Sequence, residues 1–183
     1  MEFVITEEEK KILLESARET IAAKLENRKA VYTPATKTLE AINGAFVTLH
    51  KFGQLRGCIG NLIGVKPLYA TIREMALASA FDDPRFPPLS KKELEEIDIE
   101  ISVLSPLKKI NSIDEIKIGE HGILLKMGFS SATFLPQVAV EQKWGVKELM
   151  ENVCFKAGMD VNSWKAPDAE LFVYSAIVFG EKQ

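Results

Sequence analysis

The run IDIEISV at residues 97–103 alternates strictly between branched apolar and polar residues. Successive side chains of a β-strand point to opposite faces, so this run predicts a strand with one buried and one exposed face. Further strands are predicted at residues 45–52, 122–127, 132–135 and 171–179. Several connections between these strands are too short for a helical crossover, which favours a mostly antiparallel or mixed sheet.

Helical patterns lie between the predicted strands. Thr6 and Glu9 form a capping box before an amphipathic helix at about residues 7–27. Pro67 suits the first position of a second helix, and Gly158 suits a left-handed cap after a later one. Because helices and strands are interspersed around a largely antiparallel sheet, we predict an α+β fold with helices that flank the sheet.

The composition is that of a globular protein with a sizeable core. The chain has 183 residues, of which 46% are hydrophobic and 27% charged, and its net charge is −3. A disordered chain would be less hydrophobic, and a protein that coats nucleic acid would normally be basic, so nucleic acid is disfavoured as a partner. No run of 18 apolar residues is present and the first residues are acidic, so we expect no membrane span, no secretory signal and a cytoplasmic location.

The chain has only two cysteines, Cys58 and Cys154, and two histidines, His50 and His121. Their spacing excludes a disulfide framework and a cysteine-rich zinc site, and the familiar glycine-rich phosphate loops are absent. We therefore predict no metal site and no cofactor. Cys154 lies in the apolar stripe of a predicted helix and is interpreted as a core residue.

The most unusual stretch is LRGCIG at residues 55–60. Gly57 and Gly60 bracket Cys58, which would let the backbone turn tightly and expose its amides. One interpretation makes Cys58 a thiolate nucleophile whose pKa is lowered by Arg56 and these amides, with the same amides as oxyanion donors. The alternative is a small side chain that packs at a strand end.

Two other segments carry polar side chains suited to ligand binding. Asp83 and Arg85 lie in a proline-framed loop, where Arg85 could clamp a carboxylate or phosphate. An internal Asp83–Arg85 ion pair that pins the loop is the alternative. Thr133 and Gln137 lie at a strand-to-helix junction and could either donate to a ligand or cap the helix.

Six segments together resemble the AMMECR domain family. They are GAFVTL at 44–49, LRGCIG at 55–60, DPRFPPL at 83–89, ISVLSP at 101–106, ATFLPQV at 132–138 and KAG at 156–158. The resemblance spans about residues 8–180 and implies one AMMECR-like domain, with a larger and a smaller lobe and a cleft near residues 55–60. It implies no established reaction. It does imply a modification pathway shared with Memo-like and radical S-adenosylmethionine proteins.

Two main functions stay open from the residues. In an enzyme, Arg56 and Arg85 would orient an anionic substrate in the cleft and Cys58 would be the nucleophile. In a non-catalytic module, the same cleft would hold a small anionic, nucleotide-like or peptide ligand, and Cys58 would only pack. The spacing does not fix a general base, for which the candidates are His50, His121 and Glu141. Regulation linked to nucleic acid, a third role proposed for the family, fits the acidic charge poorly.

Overall fold

The computed structural model describes residues 4–182, within which four α-helices and eight β-strands are found. The helices are α1 (Glu7–Glu26), α2 (Leu68–Phe81), α3 (Pro136–Glu141) and α4 (Val146–Lys156). The strands are β1 (Ala45–Lys51), β2 (Gln54–Asn61), β3 (Ile97–Leu104), β4 (Lys108–Ile110), β5 (Gly122–Met127), β6 (Ser130–Phe134), β7 (Glu170–Tyr174) and β8 (Ala176–Gly180). They form two antiparallel four-stranded sheets, in the orders β2-β1-β3-β8 and β4-β7-β5-β6. The predicted α+β class is confirmed.

The chain divides into two compact units. Of the described residues, the first contains 4–104 and 177–182, and the second contains Ser105–Ala176. Within the described part of the chain, no helix is both long enough and apolar enough to cross a membrane.

In the first unit, α1 and α2 cover one face of the sheet. Ile21 of α1 and Ile72 of α2 belong to the same buried cluster as Val47 of β1 and Ile99 of β3. The predicted capping box is present at the start of α1, where the Glu9 N–H donates to the Thr6 hydroxyl and the Thr6 N–H donates to the Glu9 carboxylate. Because side chains alternate along a strand, the polar residues of β1 and β3 stand on the opposite face of the sheet.

We call this opposite face the polar face of the first sheet. It carries Thr48 and His50 from β1, Cys58 from β2, and Asp98 and Glu100 from β3. Thr48 lies directly opposite both Cys58 and Glu100, and His50 lies directly opposite Asp98. Residues that are directly opposite in paired strands share a face, so these side chains are neighbours.

In the second unit, α4 packs on the other sheet. Val153 and Cys154 of α4 form a buried cluster with Ile123 and Leu125 of β5. The core position predicted for Cys154 is confirmed, and burial raises the pKa of its thiol above the ordinary value.

The structure corrects the predicted last strand. Residues 171–179 do not form one strand: β7 belongs to the second sheet and β8 to the first, with Ser175 between them. The chain stays extended and largely apolar while it passes from one sheet to the other, so no turn residue marks the change. The three-residue edge strand β4 is not among the strands predicted from the sequence.

Candidate functional site

The LRGCIG stretch lies inside β2, so the predicted tight turn is wrong. Among the described glycines, neither Gly57 nor Gly60 has a positive φ. Their importance is steric instead. A Cβ at Gly57 would lie 2.1 Å from the carbonyl oxygen of Ser79 in α2, and a Cβ at Gly60 would lie 2.3 Å from the ring of Phe46. Both glycines therefore allow close packing against β2.

Ser79 also enters the ladder between β1 and β2. Its hydroxyl accepts the Ile59 N–H at 2.8 Å and donates to the Val47 carbonyl at 2.7 Å. Val47 and Ile59 are directly opposite each other in the β1–β2 register, so the hydroxyl links the two strands at this pair. The N–H of Cys58 donates to Asp83 at 2.9 Å. Because the amides of Cys58 and Ile59 are already used, this arrangement does not present them as oxyanion donors.

Asp83 and Arg85 form the internal ion pair that the sequence offers as one of two alternatives. Oδ1 of Asp83 accepts the backbone N–H of Arg85 at 3.1 Å and its Nε–H at 3.0 Å, while Oδ2 accepts Nη2–H at 2.7 Å. Nη2 of Arg85 also donates to the Cys58 carbonyl at 3.3 Å. β2 is an edge strand, and the pair satisfies both backbone groups of Cys58 as a further strand would.

The two members of this pair differ sharply in exposure. The Asp83 side chain is 2% exposed, whereas that of Arg85 is 54% exposed. The Arg85 guanidinium and the Cys58 amide hold the pKa of the Asp83 carboxyl well below its usual range, although burial opposes them. Asp83 in turn raises the pKa of Arg85. Arg85 is thus a fixed cation whose Nη2 lies 3.3 Å from the Cys58 carbonyl oxygen.

Arg56, by contrast, is buried in an ion pair of its own. Nε donates to Glu93 at 3.0 Å, and Nη2 donates to the other Glu93 oxygen at 3.2 Å and to the Pro87 carbonyl at 2.9 Å. These contacts hold the pKa of Glu93 well below its usual range, with a smaller contribution from Lys51. Arg56 is therefore held by Glu93 and Pro87 and fastens the loop that carries Arg85, while its Nη1 is buried and has no hydrogen-bond partner among the described residues.

Cys58 is half-buried on the polar face. The Thr48 hydroxyl donates to its sulfur at 3.2 Å. Thr48 is a residue at this site that sequence reasoning missed. It belongs to a polar position of an alternating strand, which was the available signal, but its place beside Cys58 depends on the register between β1 and β2.

The remaining candidates lie in the second unit and make local contacts there. The Thr133 hydroxyl donates to the Ile123 carbonyl at 2.7 Å, and the Nδ1 atom of His121 accepts the backbone N–H of Lys117 at 3.2 Å. Gln137 lies in the first turn of α3, and Glu141 is the exposed last residue of that helix. Their roles in ligand binding or proton transfer stay predictions. Among residues 4–182 there is no group of three or more histidine, cysteine or carboxylate side chains that could hold a metal ion.

Comparisons with known proteins agree on one family. The AMMECR1 family model matches residues 14–179. Protein MK0488 of Methanopyrus kandleri is 41% identical over 98% of this chain and 91% of its own length, and protein MJ0810 of Methanocaldococcus jannaschii is 35% identical over 97% and 92%. Among solved structures, the uncharacterized protein PH0010 of Pyrococcus horikoshii is 34% identical and superposes with a TM-score of 0.81, covering 93% of this chain and 90% of that one. The chain therefore belongs to the AMMECR1 family.

Proposed function

We propose that the protein binds a small anionic ligand beside Cys58, and that Arg85 is the cation that receives it. The observation that carries the proposal is the hydrogen bonding and solvent exposure of the Arg85 guanidinium. Asp83 and the Cys58 carbonyl hold Nε and Nη2, while the side chain is half exposed and Nη1 has no hydrogen-bond partner among the described residues. A guanidinium that is fixed on one edge and open on the other is suited to a carboxylate or phosphate.

The buried partner of Arg85 supports this use of the cation. Asp83 accepts four N–H groups and is nearly inaccessible, so its negative charge faces the protein and not the solvent. Because Asp83 already orders the Arg85 side chain in the folded protein, ligand binding loses little further side-chain conformational entropy.

The charge preference of Cys58 alkylation tests the proposal. Iodoacetate and iodoacetamide react with the same thiol but differ in charge, so the ratio of their rates reports the local potential and cancels changes in thiol reactivity. Exposed ion pairs contribute about 0.2–1 kcal/mol, so we expect Arg85→Gln to lower the ratio of iodoacetate to iodoacetamide rates about threefold.

Arg85→Lys is the matched control, because it keeps the charge and should keep most of the ratio. Cys154 is the internal reference, since it is buried in the native protein. Thermal unfolding of each variant shows whether the fold is retained. An unchanged ratio in a folded Arg85→Gln protein would contradict the proposal.

Whether the bound ligand also reacts at Cys58 is a separate question. In an enzyme Cys58 is the nucleophile, and Cys58→Ser abolishes the activity of a reconstituted pathway with Memo-like and radical S-adenosylmethionine proteins. In a binding module the same variant keeps its ligand and its effect on the pathway. These partners and the cytoplasmic location stay predictions from the family resemblance and the composition.

A further inference from the structure

We infer that the second unit holds a further binding site, for a neutral and largely apolar small molecule that carries a carbonyl-type oxygen. The site is a cavity of about 820 Å³, and all of its lining residues lie in the second unit. This volume is within the range of small-molecule sites, so the cavity has room for a whole ligand. The site is separate from the anion site proposed at Arg85, and neither proposal depends on the other.

The cavity lies where β4 and β7 diverge. Ile110 of β4 pairs with Leu171 of β7 at the end of their ladder. Beyond this pair, residues 111–113 continue from β4 and residues 164–170 lead into β7, and both segments line the cavity. The ladder joins the two segments at one end only, so a space remains between them.

The apolar part of the lining is continuous with the core of the second unit. Ile110 and Leu171 belong to the buried cluster of this unit, and Ile113, Trp164 and Ala169 pack against that cluster. An apolar ligand that covers these side chains removes apolar surface from water, which favours binding.

The charges of the lining balance one another. Lys109 and Glu170 form an ion pair at 2.6 Å, and the two other charged residues of the lining, Lys165 and Asp168, have opposite signs. Two cations and two anions attract neither an anion nor a cation strongly. Because the transfer of an unpaired charge out of water is costly, this lining favours a neutral ligand.

The indole of Trp164 indicates the polar group of the ligand. Its Nε1 atom is buried and has no hydrogen-bond partner within residues 4–182. The indole N–H is a donor only, and buried donors in folded proteins almost always have an acceptor. A carbonyl-type oxygen supplies that acceptor without adding a charge.

The side chain that lies over the indole is free to move. The ammonium of Lys165 is 5.1 Å from the centre of the Trp164 ring and donates to Asn162 at 2.9 Å. Lys165 is exposed and makes no ion pair with any described residue. Its side chain can therefore move aside for a ligand without breaking an ion pair.

Two ligands of similar shape test the acceptor. 2-Acetylnaphthalene has a carbonyl oxygen and 2-ethylnaphthalene does not, and each is made to compete with the fluorescent naphthyl ketone prodan. Trp164→Phe keeps an aromatic ring but removes the N–H. We expect this variant to weaken the binding of 2-acetylnaphthalene relative to 2-ethylnaphthalene about two- to tenfold, as expected for the loss of one neutral hydrogen bond.

Trp144→Phe is the matched control, since it makes the same change at the other tryptophan, which does not line the cavity. It should leave the ratio of the two dissociation constants unchanged, and thermal unfolding shows whether each variant keeps its fold. An equal effect of the two substitutions on this ratio would overturn the inference. No saturable binding of prodan to the unaltered protein would also overturn it.

A second measurement keeps Trp164 in place and decides the matter if Trp164→Phe does not fold. In the Trp144→Phe protein all tryptophan emission comes from Trp164. Prodan at saturation should quench nearly all of this emission by energy transfer, because the probe lies against the indole. Substantial remaining emission would place the probe elsewhere and refute the site. None of these measurements involves Cys58, so their failure would leave the anion site untouched.

Discussion

Gly57→Ala is expected to be strongly destabilising, for a reason that lies in the packing of β2 on α2. The new Cβ would be 2.1 Å from the Ser79 carbonyl oxygen, where contacts below 3.0 Å essentially never occur. The obstacle is backbone, so no side chain can rotate away, and β2 must move by about 1 Å. Overpacking of this kind costs about 1–3 kcal/mol. The shift also strains the two hydrogen bonds of the Ser79 hydroxyl, each worth about 1 kcal/mol. We therefore expect Gly57→Ala to lower the free energy of unfolding by about 3–5 kcal/mol.

Gly53→Ala separates this effect from the general cost of replacing a glycine. Gly53 has a φ of +78°, and a Cβ added there would meet nothing within 4 Å, so its substitution should cost only about 1–2 kcal/mol of backbone strain. The assay is urea unfolding followed by circular dichroism. Both tryptophans, Trp144 and Trp164, lie in the second unit, so their fluorescence does not report on β2 directly. Equal losses for the two variants, or a loss below 1 kcal/mol at Gly57, would refute the packing argument.

Three further predictions concern the polar groups around β2. Asp83→Asn should lower the free energy of unfolding by about 2–4 kcal/mol, because an amide cannot accept four N–H groups and leaves Arg85 without its counter-ion. Urea unfolding measures the change, and a decrease below about 1 kcal/mol would contradict the prediction. The protein should lose stability as the pH falls below about 4, because the pKa values of Asp83 and Glu93 are lower in the folded than in the unfolded chain. The free energy of unfolding of Asp83→Asn should fall less steeply with pH than that of the unaltered protein. Equal slopes for the two proteins would contradict the role given to Asp83. Ser79→Ala should cost about 1–3 kcal/mol and speed hydrogen exchange at the Ile59 amide, and an unchanged exchange rate would show that the hydroxyl bridge is unimportant.

The sequence predicts the polar face because alternation in β1 and β3 is a local pattern. It does not predict that Thr48 lies beside Cys58 and opposite Glu100, because this depends on the pairing of β1 with two strands, one of them far along the chain. The Asp83–Arg85 pair could be foreseen as one of two alternatives, since its members are two residues apart in a rigid loop. The partner of Arg56 could not, because Glu93 lies 37 residues away.

The glycines of β2 show a second limit. A glycine in sequence signals either a turn or a close approach of another chain segment, and only the position of Ser79 decides for Gly57. The predicted turn was wrong, and the oxyanion role that depended on it loses its support. The cation that we propose beside Cys58 is Arg85, since Arg56 is buried in its ion pair with Glu93; a ligand role for Arg56 stays a prediction.

The most direct test of the anion site is the ratio of iodoacetate to iodoacetamide rates at Cys58 in the unaltered protein, compared with the same ratio for N-acetylcysteine amide. The net charge of −3 would by itself disfavour the anionic reagent at a protein thiol. If Arg85 forms an anion site beside Cys58, the ratio in the protein should exceed that of the free thiol by about threefold. A ratio equal to or below that of the free thiol would contradict the account.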